Sequence, residues 1–156
     1  MLKIYNLKDK QEYLKEVLML EVKEWSENKN ITEERLNRKI NEVTSLFNNN
    51  YFCKLILLDD DKLIGFISMF PEDLDERKDL KPWYATMYVK EEYRKLGYSK
   101  ILNDAILKEA YNRGFDKLYL KSTLNNYYEK FGAIFMEQIN DEKLYYIKTR
   151  RNNENN

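Results

Sequence analysis

The sequence predicts a mixed α/β (α+β) fold, with a mostly antiparallel central sheet of about seven strands flanked by about four helices. Three observations predict it. The apolar runs Tyr51 to Leu58 and Lys62 to Phe70 are joined by Asp59-Asp60-Asp61 and read as an antiparallel hairpin. Between Trp83 and Leu120 the chain alternates strand, glycine-containing turn, helix and strand, a βαβ unit whose strands should be parallel with a right-handed crossover. Ahead of both, two segments repeat apolar residues at helical spacing. At 156 residues the chain suits one domain over residues 1–150, leaving the polar end 151–156 as an expected frayed tail.

Leu2-Lys3-Ile4-Tyr5 alternates as a first strand. Asp9 followed by Glu12 resembles a capping box that should open a helix carrying Tyr13, Leu14, Val17, Leu18, Val22 and Trp25 on one face. Thr32 is the N-cap candidate of a second helix, with Leu36, Ile40, Val43 and Phe47 aligned. Both read as ordinary helices covering a core. After the hairpin, the stretch from Pro71 to Pro82 is polar and proline-bounded, an exposed loop with Glu72, Asp73, Asp75 and Glu76 bunched together. Trp83 to Val89 is the next strand, and Ile101, Leu102, Ala105, Ile106 and Ala110 mark a helix ending near Gly114. Lys117 to Leu120 is a strand, Asn126 to Phe131 a short helix closed by Gly132, and Ala133 to Gln138 and Lys143 to Thr149 the last two strands. Gly65 alone among the four glycines lies inside a strand, where it marks either a bulge or a close approach of another segment.

Composition narrows the chemistry. With 27 basic and 27 acidic residues the chain has no global field to draw it onto nucleic acid or a membrane surface, so any basic site is local. No stretch approaches the ~20 apolar residues that cross a bilayer. The single cysteine, Cys53, lies in an apolar run and reads as a core residue of a cytoplasmic protein. There is no histidine, which excludes Ser-His-Asp and Cys-His catalysis and histidine-dependent zinc sites. The three aspartates of the hairpin read as turn chemistry rather than a metal site, so no metal is expected.

The run Val89 to Ile101 is the most informative segment. A strand gives way to a basic turn with Gly97, and the turn opens a helix whose unpaired N-terminal amides and partial positive charge suit a phosphate or pyrophosphate. Arg94, Lys95 and Lys100 add charge around it. Neither the P-loop pattern nor the three-glycine dinucleotide turn is present. Arg94-Lys95-Leu96-Gly97-Tyr98-Ser99 instead resembles the Arg/Gln-x-x-Gly-x-Gly/Ala signature of the GNAT N-acetyltransferases. Tyr128-Glu129-Lys130-Phe131-Gly132 fills the place of that family's later Tyr-x-x-x-Gly segment. The order of elements is similar over most of the chain, most sharply between Trp83 and Ala133. Three departures stand out: Ser99 where glycine or alanine is usual, Ala133 where an aromatic residue is usual, and a short Ser122 to Asn126 connection.

The resemblance implies acetyl-CoA as co-substrate and a splayed parallel strand pair. On that basis the backbone of Met87, Tyr88 and Val89 binds the pantetheine arm. The pyrophosphate is held by the segment Arg94, Lys95, Leu96, Gly97, Tyr98, Ser99 and Lys100, and Asn126 and Lys130 join the coenzyme-binding set. Tyr128 is the candidate general acid for the leaving thiolate, with Tyr127 as its competitor, because a phenol titrating near ~10 is a donor at neutral pH. The implied reaction is direct acetyl transfer to the primary amine of a small acceptor. The general base is left open among a water held by Thr86, a carboxylate of the acidic loop, and the flanking Glu91 and Glu92. The acidic cluster at Glu72, Asp73, Asp75 and Glu76 favours a cationic amine. The alternative from another class is a coenzyme-binding module without turnover. Homodimers are common in the family, which leaves oligomeric state open.

Overall fold

The computed structural model describes residues 1–150, and the segment read as a frayed tail, 151–156, lies outside them. Ten regular elements follow one another: β1 (Leu2–Asn6), α1 (Leu14–Trp25), α2 (Glu33–Leu46), β2 (Cys53–Asp59), β3 (Lys62–Phe70), β4 (Trp83–Val89), α3 (Tyr98–Asn112), β5 (Lys117–Ser122), β6 (Ala133–Ile139) and β7 (Glu142–Lys148). The seven strands form one sheet in the order β1-β2-β3-β4-β5-β7-β6. Every pairing is antiparallel except β4 with β5, as the βαβ reading requires.

Among the described residues three α-helices form rather than four. The segment read as a fourth helix contracts to one 3-10 turn, Tyr128–Phe131, stopped by Gly132 in the left-handed region at φ 94°. So few residues cannot offset the cost of starting an α-helix. The start of α1 also differs from expectation. Asp9 ends a 3-10 turn over Leu7–Asp9, Glu12 lies in a second over Gln11–Tyr13, and α1 begins at Leu14 with no side-chain cap. Asn6 instead caps the first of these 3-10 turns, its Oδ1 accepting from the Lys8 amide at 3.0 Å. Thr32 does cap α2 as predicted, accepting from the Arg35 amide at 3.1 Å.

Strand alternation sends side chains to two cores. On one face Ile56, Leu58, Leu63 and Phe66 meet Leu14, Val17, Leu18 and Leu36 of α1 and α2. On the other, Cys53, Leu55, Leu57, Ile64 and Ile67 meet Leu102, Ile106 and Ala110 of α3. Each buried aliphatic side chain contributes about 1.5–3 kcal/mol. Burial pushes the Cys53 thiol up to about 12, as befits a residue that packs.

Two irregularities of the central strands shape the site. A Cβ on Gly65 would stand 2.3 Å from the Tyr88 carbonyl oxygen, so this glycine permits a close approach of β4. The β3–β4 register then shifts between Phe66 and Ser68, with Thr86 in the left-handed region at φ 48°. β4 and β5 pair in register only at Trp83 and Tyr119, so they part immediately afterwards. Thr86 and Met87 consequently have no register partner on either neighbouring strand.

Candidate active site

Two cavities share the stretch of β4 at Met87. The first, of about 440 Å³, is lined by Met87, Tyr88 and Val89 of β4, by Arg94, Lys95, Gly97, Tyr98 and Ser99 of the following turn, and by Glu24, Tyr93, Tyr127 and Lys130. The turn folds as its residues dictate. Arg94 Nε donates to the Val89 carbonyl at 2.8 Å and its guanidinium lies 5.5 Å from the Tyr88 ring centre, which binds the turn to the end of β4. Lys95 and Gly97 both adopt positive φ, 65° and 85°, reversing the chain so that α3 starts at Tyr98 with Gly97 as its N-cap. No side chain caps α3 and its first turn holds no acidic residue, so no side chain of the helix itself competes for its N-terminal amides.

These residues fit the pyrophosphate and pantetheine of a coenzyme A. Three cations, Arg94, Lys95 and Lys130, oppose one carboxylate, Glu24, around this cavity. A Cβ at Gly97 would touch no heavy atom within 4 Å, which leaves open space where the backbone faces the cradle. The unpaired edge of β4 at Met87 supplies main-chain groups for an extended ligand.

The second cavity, of about 650 Å³, shares Met87 with the first. Its walls include Trp25 of α1, Asp73 after β3, Ala85 and Thr86 of β4, Lys121 of β5, Tyr128 and Glu142 of β7. Burial raises the Asp73 carboxyl above its ordinary range, with Lys121 opposing the rise and Glu142 adding to it. The Tyr128 phenol is likewise raised, first by burial and then by Tyr127. Its ring packs edge-on against Tyr84 at 6.0 Å and against Tyr127 at 4.8 Å. Tyr84 Oη donates to Asn103 Oδ1 at 2.9 Å, so the ring beneath Tyr128 is itself anchored to α3.

The residues singled out in the sequence therefore divide. Met87, Tyr88, Val89, Arg94, Lys95, Gly97, Tyr98, Ser99 and Lys130 gather around the first cavity, and Tyr128 is in the second. The competing Tyr127 lines the first, with Lys130 Nζ 4.1 Å from its ring centre. Leu96, Lys100 and Asn126 line neither. Lys100 turns away to Asp104 at 2.7 Å, one helical turn along α3. Of the acidic loop only Asp73 reaches the second cavity, while Glu72, Asp75 and Glu76 are exposed. Glu142, Lys121 and Trp25 were missed as site residues because they come from three distant strands and helices, and no local motif marks them.

The model of the acetyltransferase (GNAT) family matches residues 14–133. No curated protein matches the chain. Among solved structures, an aminoglycoside 6'-N-acetyltransferase complexed with coenzyme A superposes with TM-score 0.72 at 16% identity, covering 97% of this chain and 99% of that one. A Thermoplasma acidophilum N-acetyltransferase in complex with coenzyme A gives 0.66 at 21% identity, covering 95% and 99%. A spermidine N-acetyltransferase chimera built from Vibrio cholerae and human sequences gives 0.67 at 16%, covering 95% of each chain. These likenesses show a shared fold, and the family match over residues 14–133, together with the cradle that opens α3, places the chain in the acetyltransferase (GNAT) family of acyl-CoA-dependent enzymes.

Proposed function

We propose that the protein moves an acetyl group from acetyl-CoA directly to the primary amine of a small cationic acceptor, without a covalent enzyme intermediate. One observation carries this reading: a basic cavity and a cavity with two carboxylates meet at Met87. Bound coenzyme supplies an activated acetyl thioester. The amides from Lys95 to Ser99, Leu96 included, hold its pyrophosphate, with Arg94, Lys95 and Lys130 neutralising charge. The main chain of Met87, Tyr88 and Val89 takes the extended arm, and Lys100 and Asn126 stay outside this set. Tyr128 Oη is the proton source for the thiolate that transfer releases, since a phenol, here raised further by burial, is a donor at neutral pH. A histidine-free chain whose one cysteine is buried holds no activated thiol to carry the acetyl group.

The acceptor side supports a cation. Asp73 and Glu142 outnumber Lys121 there, and aromatic faces of Trp25 and Tyr128 complete the wall. Two of the similar structures are named for spermidine and aminoglycoside acetyltransfer, both polycationic amines, which is in keeping with this charge. A panel of amines at saturating acetyl-CoA, followed by thiol detection, tests the proposal. Polyamines, aminoglycosides and lysine-like amines should react, and neutral amines of equal size should be much poorer. Equal rates for neutral amines would reject the cationic acceptor. Calorimetric binding of acetyl-CoA without thiol release across the panel would instead show a coenzyme-binding module.

A further inference from the structure

Three charged side chains line the second cavity, and each comes from a different part of the chain: Asp73 after β3, Lys121 of β5 and Glu142 at the start of β7. None of them lines the coenzyme cavity. Lys121 faces Leu144 across the β5–β7 ladder, and Glu142 lies two residues before Leu144 on β7, so both project from one face of the sheet as diagonal neighbours. Leu144 is fully buried with Leu80 and Trp83, and Leu74 packs against them, which seats the residue after Asp73 on the same apolar floor. All three charged residues are half-buried. Among the described residues none of their side chains makes a hydrogen bond or an ion pair, and Lys121 acts on Asp73 only through its charge at longer range.

A lysine kept only to offset two carboxylates gains most by touching one of them, because Coulomb attraction falls with distance. Lys121 stands off from both. The gap leaves one anion site and one cation site facing each other inside a cavity of ligand size. An acceptor made only of amines would suit Asp73 and Glu142 but bring like charge towards Lys121, whereas a zwitterion pairs all three groups. We propose that the acceptor is an α-amino acid with a second amine on its side chain, held by its carboxylate on Lys121 and by its α-ammonium between Asp73 and Glu142. The side-chain amine is then the one that reaches Met87 and Tyr128, where the two cavities meet. There the amide bond forms at that nitrogen as the carbon–sulfur bond breaks. The thiolate takes its proton from Tyr128, and the proton given up by the nitrogen restores the phenol through solvent. A carboxylate is favoured over a phosphate, whose second charge would face Asp73 and Glu142. The inference deepens the acetyl transfer proposed above and rests on it.

L-lysine, L-lysine amide and 1,5-diaminopentane, assayed with the full chain at saturating acetyl-CoA by thiol release, test it. The three share the reacting amine and its chain, and only lysine carries the carboxylate. Native protein should favour lysine in kcat/KM by roughly tenfold or more over the other two, the scale of one charged hydrogen bond. Mass spectrometry with fragmentation should place the acetyl group on the side-chain nitrogen. Lys121→Met should raise KM for lysine by a similar factor and lower KM for diaminopentane, from which it removes a like charge, and Lys121→Arg should keep the native preference. The comparison of ligands on native protein needs no variant, so it decides the matter even if Lys121→Met fails to fold. Lysine no better than its amide or than diaminopentane overturns the proposal, as does a preference for lysine that survives Lys121→Met or an acetyl group on the α-nitrogen. Thiol release with polyamines or aminoglycosides but not with lysine overturns it and leaves the cationic acceptor standing; no thiol release with any amine overturns both.

Discussion

Tyr128 is half-buried against Tyr84 and Tyr127, and burial followed by Tyr127 raises its phenol above the ordinary value. Tyr128→Phe should lower kcat by roughly 10²-fold while the acetyl-CoA dissociation constant stays within error. Because the phenol is raised above the ordinary value near ~10, the alkaline limb of kcat should lie above that of a free tyrosine and vanish in the variant. Turnover unaffected by Tyr128→Phe would pass the role to Tyr127 or to water. Asp73 gives the opposite limb. Its raised carboxyl takes up a proton at higher pH than an ordinary aspartate, so the acceptor cavity loses negative charge early as pH falls. KM for a cationic amine should therefore rise with acidification, and Asp73→Asn should raise KM at neutral pH and flatten that rise. A neutral amine should show neither effect.

Among the elements, the turn between β4 and α3 was the most legible in sequence, because its residues are adjacent and each has a local reason to be there. Gly97 illustrates it. A valine at φ 85° meets strain of roughly 1–2 kcal/mol from its backbone alone and puts methyl groups into the cradle. Gly97→Val should weaken acetyl-CoA binding by about tenfold or more, a factor of ten being about 1.4 kcal/mol. Calorimetry reads it, and an unaltered dissociation constant would remove the pyrophosphate from this turn. The central strands were equally readable from their apolar runs, down to the limits of β3 at Lys62–Phe70 and β4 at Trp83–Val89. The start of α1 was not, since Asp9 and Glu12 have the spacing of a capping box but the chain there closes two 3-10 turns around the buried Leu7. The closing helix shrank for a related reason, its residues too few to propagate past one turn.

At the scale of the whole molecule, the second cavity draws on α1, β4, β5, β7 and the loop after β3. Periodicity places such residues on strands and helices but says nothing about which of them converge, so Glu142, Lys121 and Trp25 could not be read in advance. The acidic loop misled in part, since proximity in sequence put four carboxylates together while the fold turns only Asp73 inward. Lys54 of β2 and Ser68 of β3 face each other only through the β2–β3 register. The shared wall at Met87 has a kinetic consequence. Two cavities that share one wall residue can be filled together, and neither ligand must leave before the other arrives. Initial rates measured against both substrates should give double-reciprocal lines that intersect, with free coenzyme A competing against acetyl-CoA and not against the amine. Parallel lines would mean that the acetyl group rests on the protein between two half-reactions.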